Sequence, residues 1–337
     1  MDRLVTERKS LPLLGLSLLL LAILALSLGL GRYSVPLRTW YDVLFAPDHG
    51  GIAGLVLMQV RLPRIAAGIL IGSALSVAGA SYQGLFRNPM VSPDILGATA
   101  GAGFGASAAI LFGCNILGVQ LAAFIFGLIA VLLVWGLASL LARKSDPILT
   151  LVLVGIIVGA LFMALVSMVK YVADPYSKLP AITFWLMGSL AAITPRDAAL
   201  SGIPMILGMI PLLLLRWRLN VMAFGEEEAR ALGVNTTRLR AIVIACATLL
   251  SASAVAVAGV IGWVGLVIPH LARMIVGPNY KILLPASMLL GAAYLLLVDD
   301  VARSIYATEI PLGIVTALIG APFFLYLMTR TGRGGWS

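Results

Sequence analysis

Charged side chains are scarce in this sequence, so the few that interrupt its apolar runs mark where chemistry could be done. Arg61 and Arg64 stand at the head of one apolar run, and Asp299, Asp300 and Arg303 stand together at the tail of another. Cations at such places either anchor lipid headgroups or have a more specific task. The other concentration of charge is the stretch from Arg216 to Arg240, RWRLNVMAFGEEEARALGVNTTRLR. Within it, Glu226–Leu232 reads as a short amphipathic helix. It is acidic at its start, where the helix dipole favours anions, and is closed by Gly233. A capped helix of that kind is either an ordinary interfacial helix or a knob offered to a soluble subunit.

Several chemistries are missing. There is no G-x-x-x-x-G-K-[ST] loop to cradle phosphates, no H-E-x-x-H and no G-x-S-x-G. The two histidines, His49 and His270, read as a solvated loop residue and a hydrogen-bonded residue at a helix break. Cys114 and Cys246 both lie in apolar segments and support neither a disulfide framework nor a thiolate metal site. Proton- and sodium-driven carriers use carboxylates within the membrane. Asp299 and Asp300 read as lying too near the surface for that task. The chain therefore reads as a conduit powered from elsewhere, with an ion-coupled carrier and a metal-dependent membrane enzyme as rivals.

The elements that must position these groups follow from composition. Of 337 residues, 61% are hydrophobic and 11% charged, against about 25% charged in soluble domains. Lipid is the solvent for most of such a chain. The formal charge of +9 is spread between apolar runs rather than gathered in a stripe, which speaks against nucleic acid. Apolar segments fall at 11–31, 61–84, 95–113, 116–142, 147–169, 197–215, 241–261, 262–277, 282–302 and 310–328. The first, behind a basic start, is long enough to be a retained span rather than a signal peptide. The eighth is short, and its Gly-Trp-Val-Gly and Ile-Pro-His stretches suggest a broken helix. Ile182–Ile193 cannot span and reads as a re-entrant or interfacial helix.

The fold expected is thus all-α, one polytopic membrane domain over residues 1–337 with about ten transmembrane helices. Any repeat relating spans 2–5 to spans 7–10 would be inverted. Ten spans put both termini on one side. Taking that side as the cytoplasm gives it 15 of the 23 Lys and Arg, in keeping with the positive-inside rule. Arg61, Arg64 and Arg303 then run against the bias. Glycines spaced by four (Gly68/Gly72, Gly97/Gly101/Gly105, Gly155/Gly159) are expected to let helix backbones approach closely.

Five stretches occur in order: RLPR from Arg61, QGLFRNP from Gln83, GEEEARALGV from Gly225, GLVIPHLAR from Gly265 and IPLGIVTALIGAPFF from Ile310. Together they resemble the FecCD-type permeases, membrane subunits of binding-protein-dependent ABC importers for iron-siderophores, haem, cobalamin and related metal chelates. The likeness runs from about Arg61 to Met328. Met90-Val91, Trp263 and the doubled Asp299-Asp300 depart from the commoner pattern and leave the substrate subgroup open.

The resemblance implies a translocation subunit in a bacterial or archaeal plasma membrane, with no catalytic residue, metal or cofactor of its own. ATP and Mg²⁺ would belong to a partner ATPase. Implied partners are a second copy of the chain, two cytoplasmic ATP-binding subunits and a periplasmic or extracellular binding protein. Phe224, Gly225, Glu226, Glu227, Glu228, Ala229, Arg230, Ala231, Leu232 and Gly233 would form the coupling helix on the ATPase. Arg61, Arg64 and Arg303 would receive glutamates of the binding protein. Asn88, Pro89 and Met90, with Leu149, would form a cytoplasmic gate, and Phe184, Trp185 and Met187 would line the pathway. The cargo expected first is an iron complex, siderophore or haem, with cobalamin or molybdate and tungstate as alternatives.

Overall fold

The computed structural model describes residues 2–31, 33, 40, 51–141, 146–306 and 308–331, and all regular structure among them is helical. His49, Arg143 and Lys144 lie outside the described residues. The helices are α1 (Asp2–Gly29), α2 (Leu62–Leu85), α3 (Ala98–Leu111), α4 (Ile116–Leu141), α5 (Pro147–Val172), α6 (Lys178–Met187), α7 (Pro195–Leu214), α8 (Arg216–Phe224), α9 (Glu226–Ala231), α10 (Thr236–Ala258), α11 (Val264–Val276), α12 (Tyr280–Ser304) and α13 (Leu312–Thr331). Each of the ten expected spans coincides with one of them. Seven are long and apolar enough to cross a membrane; α3, α11 and α13 are shorter apolar helices. The chain is a multi-pass membrane protein.

Starts and stops differ from expectation at four places. A turn at Gly51–Leu55 and a π-helical stretch Val56–Arg61 run into α2, so the helical path is continuous from Gly51 and Arg61 lies well inside it. The short helix expected at Ile182–Ile193 is α6, which begins at Lys178 and is ended by Gly188 at φ +76°. The break before α11 falls at Gly259–Trp263, not at Pro269, which sits inside α11. Trp263 carries φ +70° there, a costly backbone for a bulky residue. The stretch expected to be a loop with one short helix is mostly helical, since α8 precedes α9.

Helices α2 to α5 contain 24, 14, 26 and 26 residues, and α10 to α13 contain 23, 13, 25 and 20. Packing follows the same correspondence. Helix α2 lies against α11 and α12, while α10 lies against α3 and α4, and α2 and α10 meet each other. The Tyr82 hydroxyl, near the end of α2, lies 3.3 Å from that of Thr248 at the middle of α10. With ten crossings the two leading helices are the second and seventh spans, which run in opposite senses, as an inverted repeat requires.

Small residues make these contacts possible. A Cβ on Gly72 would lie 2.2 Å from the Gly291 carbonyl oxygen, and one on Gly79 would lie 1.8 Å from that of Gly265. Gly101, Gly105 and Gly155 likewise face the carbonyls of Phe126, Ala122 and Ile95. Gly97 instead ends a short 3₁₀ turn at φ +76°, and Gly159 is only loosely opposed.

Candidate functional site

Two polar assemblies occupy opposite ends of the bundle. Helix α2 carries Arg64 at one end and Tyr82 at the other, and its 24 residues span about 36 Å. At the Arg64 end the guanidinium is held between two carboxylates. Its Nε donates to Asp299 Oδ2 at 2.8 Å and its Nη2 to Asp299 Oδ1 at 2.8 Å. Nη1 and Nη2 also reach Glu309 Oε1 and Oε2 at 2.9 and 2.8 Å. Arg303 pairs with Asp300 and donates from Nη2 to the Ser27 carbonyl at 2.7 Å. Ser27 Oγ in turn donates to Asp300 Oδ2 at 2.6 Å. Arg61 donates to the carbonyls of Leu28, Gly29 and Tyr33.

This arrangement revises the expected one. Arg61, Arg64 and Arg303 are all buried, as are Asp299 and Asp300, which sequence placed near the surface. Three cations and three carboxylates balance. Arg61 and Arg303 cap the last carbonyls of α1, whose helix dipole favours positive charge. The geometry thus gives two of the three arginines an internal task, fastening the first span. Arg64 faces a cavity of about 190 Å³ shared with Arg61, Arg303, Glu309 and Tyr33.

At the opposite end, α8 and α9 form a knob. Gly225, at φ +143°, separates the two helices, and Gly233, at φ +78°, ends the second with Leu232 as its C-cap. Glu226 organises the turn, accepting from Arg230 Nη2 at 2.8 Å, Thr236 Oγ1 at 3.0 Å and Arg240 Nη2 at 2.9 Å. Partial burial alone would raise its pKa, but the Thr236 bond and the charges of Arg240 and Arg230 outweigh that and hold it below the ordinary carboxyl range. Ala229 and Val234 are buried beneath. Phe224 and Leu232 are 78% and 64% exposed, beside Glu227, Glu228 and Arg230. Apolar side chains within a charged rim are the composition of a protein-docking patch.

The knob is fastened to α12. Asn220 Nδ2 donates to Asn279 Oδ1 at 2.7 Å, and Asn220 Oδ1 accepts from Tyr280 N at 2.7 Å. Arg216 Nη1 adds a bond to the Lys281 carbonyl at 3.1 Å. Sequence reasoning missed Asn220, Asn279, Ser27 and Glu309. Of these only Asn279 carried a local signal, as an asparagine ahead of an apolar run, the usual helix N-cap; its side chain does cap Lys281 N at 3.0 Å.

The remaining expected residues are dispersed along one chain. Asn88 and Met90 are exposed in the turn after α2, where Asn88 Oδ1 accepts from Met90 N at 2.9 Å, and Pro89 lies half-buried between them. Leu149 is exposed in the first turn of α5, whose N-cap is Asp146. Phe184 is exposed on α6, with Trp185 and Met187 half-buried. Among the described residues no group of three or more His, Cys, Asp or Glu is placed to hold a metal ion.

Comparison with known proteins agrees with this architecture. A molybdate import system permease protein of Haemophilus influenzae is 45% identical over 96% of each chain. A probable iron chelatin transport system permease protein of Helicobacter pylori is 38% identical, over 94% of this chain and 97% of its own. A solved structure described as a metal-chelate type ABC transporter in an inward-facing conformation superposes with a TM-score of 0.85 at 45% identity, covering 94% of this chain and 98% of its own. The model of the FecCD transport family matches residues 19–330, and the chain belongs to that family, as an ABC importer permease and translocation subunit.

Proposed function

We propose that two copies of this chain enclose one import pathway. The α8–α9 knob rests on a cytoplasmic ATPase and the Arg64 end receives an external binding protein. Both termini lie in the cytoplasm, the side that the positive-inside rule assigns to them. ATP and Mg²⁺ are bound by the ATPase, and nothing covalent happens here. Closure of the ATPase pair pushes the knob, tilts the helices fastened to it and alternates which end is open. The turn Asn88–Met90 with Leu149 closes the inner end, and Phe184, Trp185 and Met187 line the way. Such weakly binding apolar walls suit a protein that must release its cargo.

The observation that supports this reading most is the knob itself. Glu226, Asn220 and Asn279 hold Phe224 and Leu232 outward in a fixed turn. Phe224→Asp with Leu232→Asp is expected to abolish co-purification of the ATPase and ATP-dependent uptake. Both side chains are exposed, so the melting temperature should change little. Uptake at the unaltered rate in the double variant would remove the coupling assignment.

For cargo we propose a metal-containing anion of the molybdate class ahead of an iron chelate. The iron complex that sequence put first moves second because the molybdate permease is the more similar relative, 45% against 38% identical. Uptake of labelled molybdate into liposomes holding the whole importer tests the order. Accumulation of a ferric chelate, with molybdate excluded, would reverse it.

A further inference from the structure

The hydrogen-bond inventory of Arg64 restricts how that residue can meet another protein. A guanidinium has five N–H donors. Asp299 takes Nε–H and one on Nη2, while Glu309 takes one on each terminal nitrogen. One hydrogen on Nη1 is left, too few for a paired carboxylate contact of the kind arginine prefers. A partner carboxylate can therefore engage Arg64 fully only by displacing one already there. The two residents differ. Asp299 lies inside α12 with 4% of its side chain exposed; Glu309 lies in the segment between α12 and α13 with 32% exposed. The cavity at Arg64 is lined by Glu309 and not by Asp299.

We propose that Glu309 is a resident stand-in for the binding protein's carboxylate. Docking evicts Glu309 from Arg64 and so releases the segment that carries it. That segment is tied to the pathway by backbone. Leu312 N donates to the Gly188 carbonyl at 2.9 Å, and Ser189 N to that of Ala258 at 2.8 Å. A Cβ on Gly313 would lie 2.6 Å from the Met187 carbonyl oxygen. The end of α6, the break after α10 and the start of α13 thus meet directly behind Glu309. Freeing Glu309 loosens the start of α13 against α6, on which Phe184, Trp185 and Met187 sit.

This rests on the reading of Arg64 as a docking cation, and the test separates the two. Binding-protein affinity is measured on the complete permease–ATPase complex in nanodiscs at physiological salt, where screening falls to about 8 Å. Glu309→Gln keeps the shape and gives up the charge; it should tighten binding about tenfold and raise ATP hydrolysis without binding protein toward the stimulated rate. Asp174→Asn, the same charge change in the exposed segment before α6, should leave both unchanged. If Glu309→Gln binds as the parent does, or more weakly, the exchange is refuted. If it binds more tightly with basal hydrolysis unmoved, the exchange stands and the relay to α6 falls. If Arg64→Glu binds normally, the docking reading itself fails, whatever Glu309 does.

Discussion

The buried ion cluster is where single residues matter most. Desolvating charges costs several kcal/mol each, which mutual attraction repays only while every member is matched. Asp299 is matched twice, by two bonds from Arg64 and by Arg303 at 3.9 Å. Asp299→Asn should therefore leave the buried cluster one negative charge short and cost about 3–5 kcal/mol, read as a large fall in the melting temperature in detergent. Glu309→Gln, at the exposed edge, should cost far less. Equal losses would mean that the cluster is not a buried, balanced unit. The arginines were legible in sequence because they broke the orientation bias. Their partners were not, since Asp299 and Glu309 stand 235 and 245 residues from Arg64. No local pattern encodes that separation.

At the scale of helices, the α2–α11 and α2–α12 contacts are built on absent side chains. In lipid, apolar burial gives little drive to pair helices, so close backbone approach has to supply it. Gly79→Val would drive two methyl groups into the Gly265 backbone, which cannot move aside as a side chain could. Overpacking of this kind costs about 1–3 kcal/mol and sometimes more. A matched change at Gly136, where a Cβ would meet nothing within 4 Å, should leave the melting temperature nearly unaltered. If Gly79→Val melts with Gly136→Val, backbone contact is not what holds α2 in place. Helix number was readable because about twenty apolar residues are needed to span a bilayer. The break at Gly259–Trp263 was half-readable: its glycines signalled it, while Pro269 pointed to the wrong turn, since neighbouring helices tolerate a proline inside α11. The early start at Gly51 was hidden because a π-helical stretch shifts the apolar period.

For the whole molecule, α12 touches both working ends. Its first residue is fixed to the knob through Asn220 and Asn279, and its last two turns carry Asp299, Asp300 and Arg303. Its 25 residues reach about 37 Å, and it packs along the way on α1, α2 and α11. The inverted repeat was open from sequence because the two halves share no evident identity. The reciprocal packing of α2 on α11 and α12 and of α10 on α3 and α4 is the arrangement such a repeat would produce, because a repeat conserves backbone geometry where side chains have drifted. A lever of this kind predicts a specific fault when its inner fastening is cut. Asn220→Ala removes the bonds to Asn279 and Tyr280 and leaves Phe224 and Leu232 on the knob. The ATPase should still bind and hydrolyse, while cargo moved per ATP falls about fivefold, the low end of the usual coupling energy between distant sites. Uptake and hydrolysis measured on the same vesicles give that ratio directly. An unchanged ratio would mean that force leaves the knob by some route other than α12.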